Sequence, residues 1–196
     1  MMVYFTSTHL LVGLVILAII LIVLWKKNKS FPYLFFFAIF WVYLMGAMNV
    51  VVFPLIIVAP YPDFKPSVNL IPFDFGFCDP RMLSLCVRIL YENILLTMPF
   101  GFGISFIARI KPKDIFWLGV AVGFTFELAQ LIISLVIQNA FRVVDINDVI
   151  LNMTGVLLGY GIFGIFGWLF IYITDWFEIR HKCIFAYIYD VVQPTQ

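Results

Sequence analysis

From Leu10 to Trp25 the chain reads LLVGLVILAIILIVLW and carries no charged side chain. A helix of about 20 apolar residues is long enough to cross the hydrocarbon core of a bilayer. Lys26, Lys27 and Lys29 follow this segment directly, and no basic residue precedes it. This order of charges is the reverse of that in a cleaved signal peptide. The segment is therefore predicted to be a membrane anchor whose N-terminus lies outside the cell.

The composition of the whole chain also indicates a membrane protein. Of the 196 residues, 64% are hydrophobic, 19% are aromatic and 12% are charged, and the mean hydropathy is +1.07. Soluble domains contain about 45–50% apolar and about 25% charged residues, so a soluble globular protein is excluded. The aromatic content excludes a disordered chain. A net charge of +1 gives no basis for nucleic-acid binding, and two histidines and three cysteines leave little room for a transition-metal enzyme or a disulfide scaffold.

Five segments are long and apolar enough to be transmembrane helices. They cover approximately Thr8–Trp25, Tyr33–Ala59, Leu83–Ile107, Asp114–Ile137 and Asp148–Ile173. The short alternating segments of a membrane β-barrel are not found. The sequence therefore predicts an all-α integral membrane protein, a bundle of about five transmembrane helices that forms a single membrane domain over residues 1–196.

Glycines in the last two spans predict close helix packing. Gly119 and Gly123 are four residues apart in the fourth span, and Gly155 and Gly159 are four residues apart in the fifth. Small residues at this spacing allow the backbones of membrane helices to approach each other.

Basic residues between the spans predict the orientation, because they concentrate on the cytoplasmic side. If the N-terminus lies outside, eight basic residues lie inside and three lie outside. The eight are Lys26, Lys27, Lys29, Arg109, Lys111, Lys113, Arg180 and Lys182, and the three are Lys65, Arg81 and Arg142. We therefore expect a multi-pass plasma-membrane protein with its N-terminus outside and its C-terminus in the cytoplasm.

Two segments outside the spans have distinct compositions. The outer loop from Pro60 to Met82 is rich in proline, which excludes a helix or a central strand. Its Asn69–Phe75 stretch is too apolar for a free loop, and we expect it to lie on the membrane surface or to cap the bundle. Residues 175–196 mix aromatic and charged side chains, which predicts a cytoplasmic tail containing an interfacial helix. Cys78 and Cys86 both lie toward the outside and could either pair or remain free.

Polar side chains inside or beside three of the spans are the candidates for function. They are Arg88, Glu92 and Asn93 in the third span, Glu127 and Gln130 in the fourth, and Arg142, Asp145, Asp148 and Asn152 before and within the fifth. With a helical rise of about 1.5 Å per residue, these three separate stretches place their polar groups at one level, in the outer half of the membrane. A carboxylate at the centre of a span costs about 2.5–3.5 kcal/mol on insertion. We therefore expect these groups to face one another and to form a ligand-binding site.

Structural roles for single members of this set remain open. Arg88 and Glu92 are four residues apart and could form an ion pair within one helix. Gln130 could join two helices by a hydrogen bond. Asp145 or Asp148 could cap the fifth helix.

The chemistry of the set allows binding or catalysis. Glu92, Glu127, Asp145 and Asp148 are candidate acid–base residues, and the two arginines can hold a carboxylate or phosphate group. No nucleophile paired with histidine and no zinc-ligand set is present, so we predict no metal site and no cofactor. Carboxylates with an amide could hold Mg²⁺ or Ca²⁺, but their spacing is not diagnostic.

Five pieces of the chain resemble the VanZ-like family of bacterial membrane proteins. They are NLIPF (Asn69–Phe73), ENILLTMPFG (Glu92–Gly101), ELAQ (Glu127–Gln130), RVVDINDVILNMTG (Arg142–Gly155) and GY (Gly159–Tyr160). Together they define a VanZ-like core over about residues 69–160. The family usually has Thr after the asparagine matched by Asn152, where this chain has Met153. It often has Phe at the position of Thr97.

The resemblance implies a bacterial plasma-membrane location and an association with low-level resistance to teicoplanin, a glycopeptide with a lipid tail. It implies no particular reaction. The expected partners are the lipid bilayer and a lipid-linked or lipoglycopeptide ligand, and the favoured function is recognition of an amphiphilic molecule by the acidic–arginine pocket. Two alternatives stay open: a membrane-embedded enzyme acting on a lipid-linked cell-wall substrate, and a structural or partner-organising protein.

Overall fold

Five long helices dominate the fold. The computed structural model describes residues 2–57, 64–75, 83–139, 142–180 and 182–193. The helices are α1 (Ser7–Lys26), α2 (Phe31–Val52), α3 (Leu83–Gly103), α4 (Pro112–Ile137) and α5 (Ile146–Trp176). A 3₁₀ turn at Ile104–Phe106 continues α3, and a short helix, α6, covers Ile184–Val192. All five long helices are apolar and long enough to cross a membrane, so the predicted all-α membrane fold is confirmed.

Two pairs of two-residue strands join loops at one end of the bundle. Strand β1 (Met2–Val3) pairs antiparallel with β2 (Leu55–Ile56), so the start of α1 lies next to the end of α2. Strand β3 (Val68–Asn69) pairs in parallel with β4 (Val144–Asp145), which immediately precedes α5. The proline-rich loop therefore reaches the beginning of α5.

The second span is shorter than the sequence predicts. The apolar run suggested a helix from Tyr33 to Ala59, but α2 ends at Val52. Pro54 cannot donate a helical hydrogen bond, and the next two residues form β2 instead. Ala59 lies outside the described residues. The third span also ends earlier as an α-helix, at Gly103, and finishes as the 3₁₀ turn.

Helix α5 is central because it packs along both α3 and α4. A Cβ atom at Gly155 would collide with the Thr97 hydroxyl, and one at Gly159 would collide with the carbonyl oxygen of Met98. At Gly123 a Cβ would lie 2.7 Å from the carbonyl oxygen of Val149. These glycines bring the helix backbones into contact, as their spacing predicts. Helices α1 and α2 pack together beside this three-helix core.

Helix α6 packs on the opposite end of the bundle. The Tyr187 hydroxyl donates a 2.5 Å hydrogen bond to the carbonyl oxygen of Phe106, and its ring stacks on Phe36. Burial raises the pKa of Tyr187 to about 12, which favours the protonated hydroxyl that donates this bond. Arg109 Nη2 lies 3.2 Å from Asp190 Oδ2. The predicted C-terminal helix is therefore present and attached to the turn after α3.

The two ends of the bundle differ in charge. One end, where α5 begins, carries Asp145 and Asp148, and we call it the acidic end. The other end holds the lysines after α1 and the basic residues between α3 and α4, and we call it the basic end.

Candidate functional site

The candidate site is a buried polar network at the acidic end. It joins the first half of α3, the second half of α4 and the beginning of α5. Glu127 of α4 is only 4% exposed, and Gln130, Asp145 and Asn152 are buried as well. Burial of this many polar groups requires hydrogen-bond partners.

Asp145 is the N-cap of α5. Its Oδ1 accepts a 2.8 Å hydrogen bond from the backbone N–H of Asn147, and its backbone is extended. Such a cap satisfies an N–H that has no partner within the helix. The capping alternative therefore describes Asp145, which precedes the helix and does not share a helical face with Asp148 and Asn152.

Glu127 links α4 to this cap. Its Oε2 accepts a 2.8 Å hydrogen bond from the backbone N–H of Asp145. Gly123, one turn earlier in α4, allows the close approach to α5 on which this bond depends. The carboxylate of Glu127 thus reaches across the helix interface and holds the start of α5.

Asp148 connects α5 to α3. Asn93 Nδ2 donates to Asp148 Oδ1 at 2.6 Å. One turn further into the membrane, the Thr97 hydroxyl donates to the carbonyl oxygen of Asn152 at 2.7 Å. The side-chain oxygen of Asn152 is buried and has no hydrogen-bond partner. An unpaired acceptor in this buried position is costly for folding.

Two asparagines that were not among the nine candidates hold the outer loop onto the network. Asn147, which is 2% exposed, accepts a 2.6 Å hydrogen bond from the backbone N–H of Phe73. It also donates to the carbonyl oxygen of Asp74 at 3.0 Å. Asn69 donates to both carboxylate oxygens of Asp145 at 3.2 Å. Asn69 belongs to the motif NLIPF in the outer loop, and Asn147 belongs to the motif RVVDINDVILNMTG at the beginning of α5. A search for polar groups within the predicted spans misses both.

The loop segment over the network has a polar inner side and an apolar outer side. Its backbone caps the network, which agrees with the expectation that Asn69–Phe75 caps the bundle. Leu70, Ile71 and Phe73 point away and are 71%, 62% and 74% exposed. We call these three side chains the apolar rim.

Two of the nine candidates, Arg88 and Glu92, lie on the exposed side of α3 and outside the buried network. Arg88 Nε and Glu92 Oε1 are 2.6 Å apart, and their side chains are 63% and 50% exposed, so they form an ion pair along α3. Glu92 is therefore separated from the buried Glu127. Arg142 is exposed and donates to the carbonyl oxygen of Val50 at 2.9 Å. Its positive charge is near enough to attract both Glu127 and Asp148. Gln130 is buried one turn beyond Glu127.

Among the described residues, no group of three or more His, Cys, Asp or Glu side chains is arranged to hold a metal ion. Cys86 is part of a disulfide. Cys78, the partner considered from the sequence, lies outside the described residues, so the pairing stays a prediction.

The fold and the network define a polytopic α-helical membrane protein whose polar groups are buried at one end of the helices. The chain matches the VanZ/LLP1 family over residues 40–171, and it belongs to that family. The match contains all nine candidate residues and extends on both sides beyond the quoted motifs. No curated protein and no solved structure matches the chain.

Proposed function

We propose that the protein acts at the outer face of a bacterial plasma membrane and recognises an amphiphilic molecule there. The molecule would be a lipid-tailed glycopeptide such as teicoplanin or a lipid-linked cell-wall molecule. Recognition would lower the effect of the glycopeptide. The observation that carries the proposal is the position of the apolar rim directly over the buried polar network, whose charged members are mostly acidic.

The acidic network supports recognition of a polar head group. Glu127, Asp145 and Asp148 meet in one place, where Arg142 supplies a positive charge. Carboxylates accept hydrogen bonds from hydroxyl, amide and ammonium groups, and such bonds contribute about 1.5–3 kcal/mol each. The arginine adds a donor for a carboxylate or phosphate group.

The apolar rim supports recognition of a lipid tail. Exposed apolar side chains that lie together mark a surface for a membrane or a ligand. Leu70, Ile71 and Phe73 are attached to the acidic network through the backbone bond from Phe73 to Asn147. A molecule that touches both surfaces needs one polar and one apolar part.

Family membership and charge distribution support the location and the biological role. The VanZ/LLP1 match agrees with a role in resistance to teicoplanin. The excess of lysine and arginine at the basic end favours an orientation with the acidic end outside. A glycopeptide acting on the cell wall reaches the membrane from that side.

A susceptibility assay with conservative variants tests this proposal. Glu127→Gln and Asp148→Asn keep size and remove a charge, whereas Arg142→Lys keeps the charge and removes the planar donor fork. We expect normal membrane levels and reduced teicoplanin resistance for all three. Binding of teicoplanin to the purified variants should weaken by about tenfold or more. Glu178→Gln, an exposed change at the basic end, is the matched control and should retain resistance.

The same assay separates the alternatives. Full resistance from normally expressed Glu127→Gln and Asp148→Asn would show that these charges are not used, and a structural role would then be favoured. A covalently altered teicoplanin or cell-wall lipid, formed by the wild type and not by Glu127→Gln, would indicate an enzyme. An equal loss of resistance to a glycopeptide that has no lipid tail would argue against recognition of the tail by the apolar rim.

A further inference from the structure

A cavity of about 520 Å³ lies at the basic end, far from the acidic network. Its walls come from the connection between α3 and α4, from α5 and from α6. Tyr160, Phe163 and Gly164 of α5 form one side, and α6 closes the other. None of the nine candidate residues lines this cavity.

The cavity combines positive charge with an unpaired buried donor. Arg109 and Lys111 line it, and among the described residues that line it Asp190, which pairs with Arg109, is the only acidic one. One positive charge is therefore in excess. Ser105 also lines the cavity, and its hydroxyl is buried beneath that wall and has no hydrogen-bond partner. A hydroxyl and two cations are the donors that phosphate oxygens require.

An open surface on α5 continues from the cavity toward the middle of the bundle. A Cβ atom built at Gly161 or Gly164 would meet no other atom within 4 Å. The two glycines are three residues apart and lie on the same side of the helix. Gly164 lines the cavity itself, next to the ring of Phe163. This surface has the depth in the membrane at which a lipid chain lies.

We propose that the cavity binds an anionic phospholipid from the leaflet at the basic end. The phosphate contacts Ser105, Arg109 and Lys111, and one acyl chain lies along Gly161 and Gly164. Basic pockets between transmembrane helices are known sites for anionic lipid head groups. A free phosphate ion would use the same donors but would leave the glycine surface empty.

Native mass spectrometry of the purified full chain in detergent tests the proposal. The probes are phosphatidylglycerol and, as a neutral lipid, phosphatidylcholine. We expect retention of phosphatidylglycerol only. The double variant Arg109→Gln/Lys111→Gln should weaken its binding by roughly tenfold or more, because each charge contributes to attraction of an anionic lipid. Lys26→Gln/Lys27→Gln, at the same end but outside the cavity, should leave binding within about twofold of the wild type.

Two further pairs of variants separate the contacts. Ser105→Ala should weaken binding, whereas Ser134→Ala removes another buried, unpaired hydroxyl outside the cavity and should not. Gly164→Leu fills the proposed chain surface and should abolish retention. Gly46→Leu is the matched control, because a Cβ at Gly46 also meets open space, but on α2. A melting curve for each variant verifies that it is folded.

Three outcomes would overturn the proposal. Equal retention of phosphatidylcholine would show that the site does not select charge. Equal weakening by the Lys26 and Lys27 changes would show general attraction to the basic end. The site would be assigned to a free anion if inorganic phosphate bound and phosphatidylglycerol was not retained. Such phosphate binding would depend on Ser105 and would be unaffected by Gly164→Leu.

Discussion

Asn147 attaches the outer loop to the beginning of α5. Its amide joins the N-cap carboxylate of Asp145 to the backbone of Phe73 and Asp74. Replacement by alanine would remove these three hydrogen bonds and leave the N–H of Phe73 without its acceptor, and each hydrogen bond contributes about 1 kcal/mol. We expect Asn147→Ala to lower the free energy of unfolding by about 2–3 kcal/mol and to speed amide hydrogen exchange over residues 69–74. Asn49→Ala, an exposed amide on α2, should change neither, and unchanged exchange in Asn147→Ala would contradict this role.

A double variant tests the role of the ion pair between Arg88 and Glu92. The pair is exposed, and its two ends neutralise each other. The double variant Arg88→Gln/Glu92→Gln preserves neutrality, so we expect normal insertion, a stability change below about 1 kcal/mol and full teicoplanin resistance. Glu92→Gln alone leaves an unpaired arginine and should lower the protein level. Lost resistance in a normally expressed double variant would place the pair in the binding site.

Several parts of the site could be predicted at the level of residues, and others could not. The cost of burying charge predicts that polar groups in α3, α4 and α5 meet, and Asn93, Glu127 and Asp148 take part in such contacts. The sequence does not show which side of α3 faces α5. Glu92 and Asn93 are consecutive and point about 100° apart, so only one of them can reach Asp148. In a membrane both the lipid-facing side and the buried side of a helix are apolar. Hydrophobic periodicity therefore does not show which side of α3 faces α5.

Close contact between α3 and α5 depends on glycines, and a pair of variants on α5 tests this. A Cβ at Gly159 collides with the backbone of α3, whereas one at Gly161 meets nothing. We expect Gly159→Ala to destabilise the protein by about 1–3 kcal/mol through overpacking. Gly161→Ala should be neutral or stabilising by up to about 1 kcal/mol, because alanine favours a helix. Thermal unfolding in detergent measures both. An equal loss from the two variants would show that helix geometry, and not the contact, requires glycine.

The boundaries of the elements show the limits of composition as a guide. Apolar length predicts five spans, because the bilayer core has a fixed thickness. It does not predict that α2 stops at Val52, since Leu55 and Ile56 are apolar whether they lie in a helix or in β2. The partner of β2 is at the far end of the sequence, at Met2 and Val3. Pairing between such distant segments leaves no signal in a local window.

For the whole molecule, the five helices alternate in direction and separate two surfaces of different charge. The buried carboxylates lie at the acidic end, and the cavity with Arg109 and Lys111 lies at the basic end. The two proposals can therefore fail independently. Loss of phosphatidylglycerol retention in Gly164→Leu should leave teicoplanin binding intact, and Glu127→Gln should leave lipid retention intact.

The orientation of these two ends can be tested with a native reporter, because Cys183 is a free, exposed cysteine at the basic end. We expect a membrane-impermeant thiol reagent to label Cys183 only after cells are permeabilised. In a Cys183→Ser background, Lys65→Cys should react in intact cells and Lys27→Cys should not, since lysine and arginine favour the cytoplasmic side. The Cys183→Ser parent measures any labelling of other cysteines. Labelling of Lys27→Cys in intact cells would place the acidic network in the cytoplasm. An extracellular glycopeptide could not reach it there, so recognition at the outer face would be excluded whatever the susceptibility assay gives.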